Sequence, residues 1–84
     1  MYIVIKTKLH NGDIEQMALG GFCKRHHAEA VAEHAFDKAI CQMEADGADP
    51  FRIVDIENNN WYEVSSKDGK KQIHIEILDV QELD

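Results

Sequence analysis

Apolar and polar positions alternate along residues 2–10 with the two-residue period of a β-strand. Ile3, Ile5, Thr7 and Leu9 fall on one face, and Tyr2, Val4, Lys6 and Lys8 on the other. Asn11-Gly12 follows, a pair that readily takes the positive φ angles of a type I′ hairpin turn. Folding back across it sets Leu9 opposite Ile14 and Lys8 opposite Glu15, an apolar pair and an opposite-charge pair. The returning strand passes Met17 and Leu19 and reaches Gly20-Gly21, where two glycines predict a bulge or bend.

The pattern then changes to the helical period. Ala28, Val31, Ala32, Ala35, Phe36, Ala39, Ile40 and Met43 share one broad face of a helix expected over residues 27–46. Positive charge at Lys24-Arg25-His26-His27 opposes the helix dipole, which sets the expected start near His27. Gly47 is suited to a left-handed cap, and Asp49-Pro50 reinforces the stop. The opposite helix face carries His27, His34 and Cys41, with Ala30 and Lys38 between them. Solvated helix faces are normally filled by Lys, Glu and Gln. The low-charge strip of Ala30, His34, Cys41 and Ala45 is therefore a candidate partner contact.

Three more strands are expected: residues 51–57, 61–65 and 72–80, the last two joined by a hairpin turn at Asp68-Gly69. In the last strand Ile73, Ile75 and Ile77 point inward, while His74 and Glu76 point outward. Phe51 and Trp61 are expected to fill the core between sheet and helix. The layout ββ-α-βββ predicts an α+β fold in a single domain over residues 1–84. Its simplest form is one mostly antiparallel sheet of about five strands with a single helix packed on one face. Tyr2, Val4, Met17 and Leu19 are expected on the second face as an exposed apolar patch, a feature that favours association.

Charge narrows the function. The net charge is −7, with 16 acidic residues against 9 Lys and Arg. From Asp49 onward nine acids stand against four bases. This sign disfavours direct nucleic-acid binding, even though Tyr2, Phe51, Trp61 and Tyr62 offer rings for base stacking. It favours a protein partner with a basic surface. Asp55, Glu57, Glu63, Glu76, Asp79, Glu82 and Asp84 lie on or just after the last three strands. Carboxylates spaced on a rigid sheet can imitate a row of phosphates. The plainer role for such charges is to protect edge strands from aggregation.

Other chemistry is thin. Cys23, His26 and His27 are zinc-compatible residue types, but no second ligand pair accompanies them. Adjacent histidines on a helix also point about 100° apart. Cys23 beside His26 and His27 lacks any recognisable oxyanion donors or orienting third group. No phosphate-cradling glycine motif occurs. No enzyme activity, metal or cofactor is therefore expected. The two cysteines make no disulfide framework, and the first residues carry no basic region followed by a long apolar run. No stretch reaches the roughly 20 apolar residues needed to cross a bilayer. Both thiols are expected to be free, in a reducing cytoplasm.

In size, acidity and lack of catalytic residues the chain resembles phage or mobile-element proteins that disable host defence nucleases, such as anti-CRISPR or anti-restriction proteins. The resemblance is one of composition and assigns no role to any residue. It implies a small inhibitor that docks on a basic nucleic-acid-binding machine. The partner-binding candidates are then Asp55, Glu57, Glu63, Glu76, Asp79 and Glu82, with His34 and Cys41 on the helix. One alternative is a homodimer built on the His34–Cys41 helix face or on the sheet patch near Val4 and Leu19. A second is a small zinc-binding protein.

Overall fold

Asn11 and Gly12 take φ angles of +50° and +90°, so the chain reverses sharply between β1 (Tyr2–His10) and β2 (Asp13–Phe22). The expected register follows, with Leu9 opposite Ile14 and Lys8 opposite Glu15. The structure, a computed structural model, describes residues 1–54 and 60–81. After the hairpin come α1 (Arg25–Ala45), β3 (Phe51–Val54), β4 (Trp61–Ser65) and β5 (Lys71–Asp79). The expected continuation of β3 to Glu57 lies outside the described residues. The five strands form one sheet in the order β2-β1-β5-β4-β3, with every neighbouring pair antiparallel. The single helix crosses one face, which gives the α+β architecture.

Between the pairs Val4 with Gly20 and Ile5 with Ala18 the β1–β2 register shifts, leaving Leu19 as the extra residue of a bulge. The bulge turns Leu19 toward the core, where it packs half-buried. Gly20 has φ +156°, and a Cβ there would stand 2.9 Å from the Phe22 ring. The missing side chain thus makes room for Phe22 to pack against the core.

The helix begins at Arg25, two residues before the expected His27. Lys24 is the N-cap and offers no side-chain cap; its carbonyl accepts from the amides of His27 and Ala28. The early cation is tolerated because Arg25 has acceptors of its own. Its Nε donates to Glu29 one turn on, at 2.9 Å, and its guanidinium also reaches the Asn60 side chain. At the other end Gly47 takes φ +78°. Its amide donates to the Glu44 carbonyl, and the Ala48 amide donates to Met43, which closes the helix in a Schellman motif.

The face of α1 turned to the sheet is the one its periodicity marks. Ala28, Ala32, Phe36, Ala39, Ile40 and Met43 are buried, with Val31 and Ala35 packed at the margin. The alanines let the helix backbone lie close to the strands. Phe36 fills the space beyond them, its ring 5.4 Å from that of Tyr62. The sheet contributes Val4, Tyr62, Val64, Ile73, Ile75 and Ile77 to the same core.

Register fixes which side each strand residue faces, because residues directly paired across a ladder share a face. Val4 pairs with Ile77, and Tyr62 with Ile75. Tyr2 and Val4 therefore lie beneath the helix, and Ile3, Ile5 and Leu9 lie on the far side. This reverses the expected phase of β1. Tyr2, Val4 and Leu19 belong to the core margin or core and form no exposed patch; of the expected four only Met17 is exposed, at 59 %. Phe51 and Trp61 are corrected in the same way. They pair with Ser65 and Glu76 on the far side, where Phe51 is 65 % exposed, and Tyr62 takes the core position instead.

Candidate functional site

The far side of the sheet is covered by no other element among the described residues, since α1 packs on the opposite face. Its composition runs in bands. On the β2–β1 side lie Ile14, Ala18, Ile3, Ile5 and Leu9, interrupted at mid-strand by Thr7 and Gln16, whose side chains hydrogen-bond to each other. Down the middle, β5 and β4 present Gln72, His74, Glu76, Glu63 and Ser65. Beyond them β3 adds Phe51 and Ile53. Leu78 and Trp61 close the band near the end of β5. A polar, acidic strip is thus flanked on both sides by aliphatic and aromatic groups. Such a surface on a small domain is characteristic of association.

Two carboxylates occupy the strip. Glu63 sits directly opposite His74, and Glu76 directly opposite Trp61, which makes the two glutamates diagonal neighbours on adjacent strands. Both are half-buried. The Trp61 indole lies against the His74 imidazole, with ring centroids 4.7 Å apart and planes inclined by 36°. That contact holds both rings down on the sheet between the carboxylates. Neither glutamate makes an ion pair or a hydrogen bond among the described residues. The three ion pairs there are elsewhere: Arg25 with Glu29, Arg52 with Glu44, and Lys71 with Asp46.

The expected partner-binding set divides. Glu63 and Glu76 come together on the open face. Asp79 pairs with Tyr2 at the far end of β5, on the helix side of the sheet, and is exposed. His34 and Cys41 are exposed on the outer surface of α1, across the molecule from the glutamates. Asp55, Glu57, Glu82 and Asp84 lie outside the described residues. The expected acidic ladder is therefore a pair on the sheet within an apolar frame. The frame itself, Ile3, Ile5, Leu9, Phe51 and Ile53, was not among the expected site residues. Its signal is visible only once β1 and β3 have their true phase.

Two other titratable groups, Tyr62 and Asp68, are shifted by their surroundings. Tyr62 is buried, and its hydroxyl has no hydrogen-bond partner among the described residues. Burial raises its pKa above the ordinary 10.0, and the Glu33 and Glu29 carboxylates raise it further, while Arg25 opposes them. Asp68 anchors the β4–β5 hairpin. It accepts from the Ser66 hydroxyl at 2.7 Å and from the Lys70 amide at 3.0 Å, and these bonds hold its carboxyl below the usual range. His26 and His27 meet edge to face, with centroids 4.3 Å apart. Among the described residues no group of three or more His, Cys, Asp or Glu side chains is placed to hold a metal ion. No helix among them is long and apolar enough to cross a membrane. No protein-family model, no curated protein and no solved structure matches the chain.

Proposed function

We propose that this chain is a non-enzymatic protein-binding module whose open sheet face docks on a partner carrying basic side chains within an apolar surface. One observation carries the reading: among the described residues Glu63 and Glu76 are half-buried, without a cation of their own, between two largely apolar bands on an uncovered face. Covering that face with an apolar surface alone would strip water from two charges and leave them unpaired, at a cost of several kcal/mol. A partner that supplies Lys or Arg to the strip and aliphatic groups to its flanks removes that cost. The net charge of −7 adds long-range attraction to a basic surface and makes the encounter sensitive to salt. A nucleic-acid-binding protein is the sharpest form of such a partner, since its groove is basic by necessity. In that form the chain acts as an inhibitor that occupies the groove.

A second reading is self-association, favoured by the exposed Ile14, Phe51 and Ile53. A face-to-face dimer centred on β5 would bring the Glu63 and Glu76 pairs of both copies into one dry interface, which opposes it. Val4 and Leu19, near which a sheet patch was expected, pack toward the helix and offer no exposed surface for it. Native mass spectrometry of the purified chain at low and moderate salt separates the two readings. The docking module is a monomer at both. A dimer that persists in salt and dissociates on Leu9→Asp contradicts it in favour of self-association.

A further inference from the structure

On the helix side, the second half of α1 together with β1 and β5 lines a cleft of about 350 Å³. Its rim is basic. Lys6 and Lys8 reach it from β1, Lys38 from α1 and Lys71 from β5, with His10 at one end. The floor is apolar, formed by Ala39, Met43 and Ile73. Asp46 is the acid in the lining, and it lies 3.7 Å from the Lys71 ammonium. Glu15, opposite Lys8 in the register, borders the outer edge. Lys6, Lys8 and Lys38 make no ion pair among the described residues.

We propose that this cleft binds a small phosphorylated molecule. Four lysines from three separate elements line one concavity of a protein whose net charge is −7, and three of them have no ion pair among the described residues. Like charges around one cleft repel one another, and a multiply charged anion relieves that repulsion. The phosphate belongs at the Lys6–Lys8–Lys38 side. The Asp46 side carries a carboxylate and the negative end of the helix dipole. The aliphatic floor accepts the uncharged part of the ligand. The volume lies at the lower end of the range for small-molecule sites, roughly 300–1,000 Å³, which suits a single phosphorylated compound. A polynucleotide would run beyond the cleft onto acidic surface and be repelled. The site is on the opposite side of the sheet from Glu63 and Glu76, so it stands whether or not the docking reading does.

The test is isothermal titration with inorganic pyrophosphate at constant ionic strength, repeated with a single-stranded DNA 12-mer. Pyrophosphate is expected to bind saturably at one site. Lys6→Glu and Lys38→Glu are each expected to weaken it about tenfold or more. Lys67→Glu, in the exposed β4–β5 turn, is expected to leave it unchanged. Circular dichroism confirms that each variant is folded before it is compared. Absence of saturable pyrophosphate binding overturns the proposal. So does equal weakening by Lys67→Glu, or tighter binding of the DNA than of pyrophosphate.

Discussion

Toward the helix, β5 presents Ile73, Ile75 and Ile77 to a row of alanines and Phe36; away from it, the same strand presents Gln72, His74, Glu76 and Leu78. The first side is closed, with Val4, Val64 and Ile75 fully buried. The second is apolar at its flanks, acidic along its middle, and uncovered among the described residues. The covered face satisfies itself within one chain. The open face holds two carboxylates that have no counter-charge among the described residues, and the docking proposal rests on that arrangement. On that proposal the core and the docking surface lie on opposite sides of one sheet, separated by a single residue step along each strand.

That contrast is broken most forcefully at adjacent residues of β1. Val4→Asp places an unpaired charge in the core and is expected to cost about 4 kcal/mol or more, enough to unfold a domain this small. Ile5→Asp, one residue on and facing the other way, is expected to cost less than half as much, about 2 kcal/mol or less, part of it from the like charge of Glu76 directly opposite. Urea denaturation followed by circular dichroism reads both. Unfolding by Ile5→Asp with tolerance of Val4→Asp would reverse the assignment of faces.

A smaller effect is expected where the core is imperfect. The Tyr62 hydroxyl is buried without a partner among the described residues, so Tyr62→Phe is expected to leave stability unchanged or raise it by about 1 kcal/mol. The raised pKa adds a pH signature. A tyrosine held neutral by the fold contributes fully below its unfolded-state pKa, and the contribution is lost as pH rises above about 10. Tyr62→Phe is therefore expected to lessen the alkaline loss of stability, measured as the denaturation midpoint at pH 8 and pH 11. A clear drop in stability at pH 8 would show that the hydroxyl has a partner.

The smallest effect is local to the β4–β5 turn. Asp68 is depressed chiefly by the Ser66 hydroxyl and then by the Lys70 amide. Its contribution to stability is present above the unfolded-state pKa and lost as pH falls through the folded one. Ser66→Ala is expected to move the carboxyl resonance titration upward, toward the ordinary carboxylate range. An unmoved titration would assign the depression to the backbone.

Much of this fold is legible along the chain where the information is local. Asn11-Gly12 specifies the first turn and its register, the alanine-rich stripe specifies the buried side of α1, and Ile73, Ile75 and Ile77 specify the inner side of β5. The phase of β1 is not local. Ile3, Ile5 and Leu9 make as good an inward face as Tyr2 and Val4. Only the pairing of Val4 with Ile77, more than seventy residues away, decides between them. In β4 a signal was present: Glu63 shares a face with Trp61, whereas Tyr62 and Val64 share a wholly apolar one. The size and apolarity of the indole run against that alternation, which is why Trp61 reads as core along the chain. Of the site, Glu63 and Glu76 are legible as acidic strand residues, but their isolation from His34, Cys41 and Asp79 is a property of the assembled sheet. The lysine cleft was hidden for the same reason, since residues 6, 8, 38 and 71 meet only after folding, and the overall negative charge masks them.

The most direct measurement places a photo-crosslinking amino acid at Ser65, on the open face beside Glu63, and in a second protein at Cys41 on the outer side of α1. Each is irradiated at low salt in lysate of the source cells. The docking account predicts a discrete adduct with another protein from position 65 and none from position 41. It further predicts that Glu63→Lys combined with Glu76→Lys abolishes the adduct while leaving the denaturation midpoint unchanged. An adduct from position 41 alone, or one from position 65 that survives the double charge reversal, would contradict it.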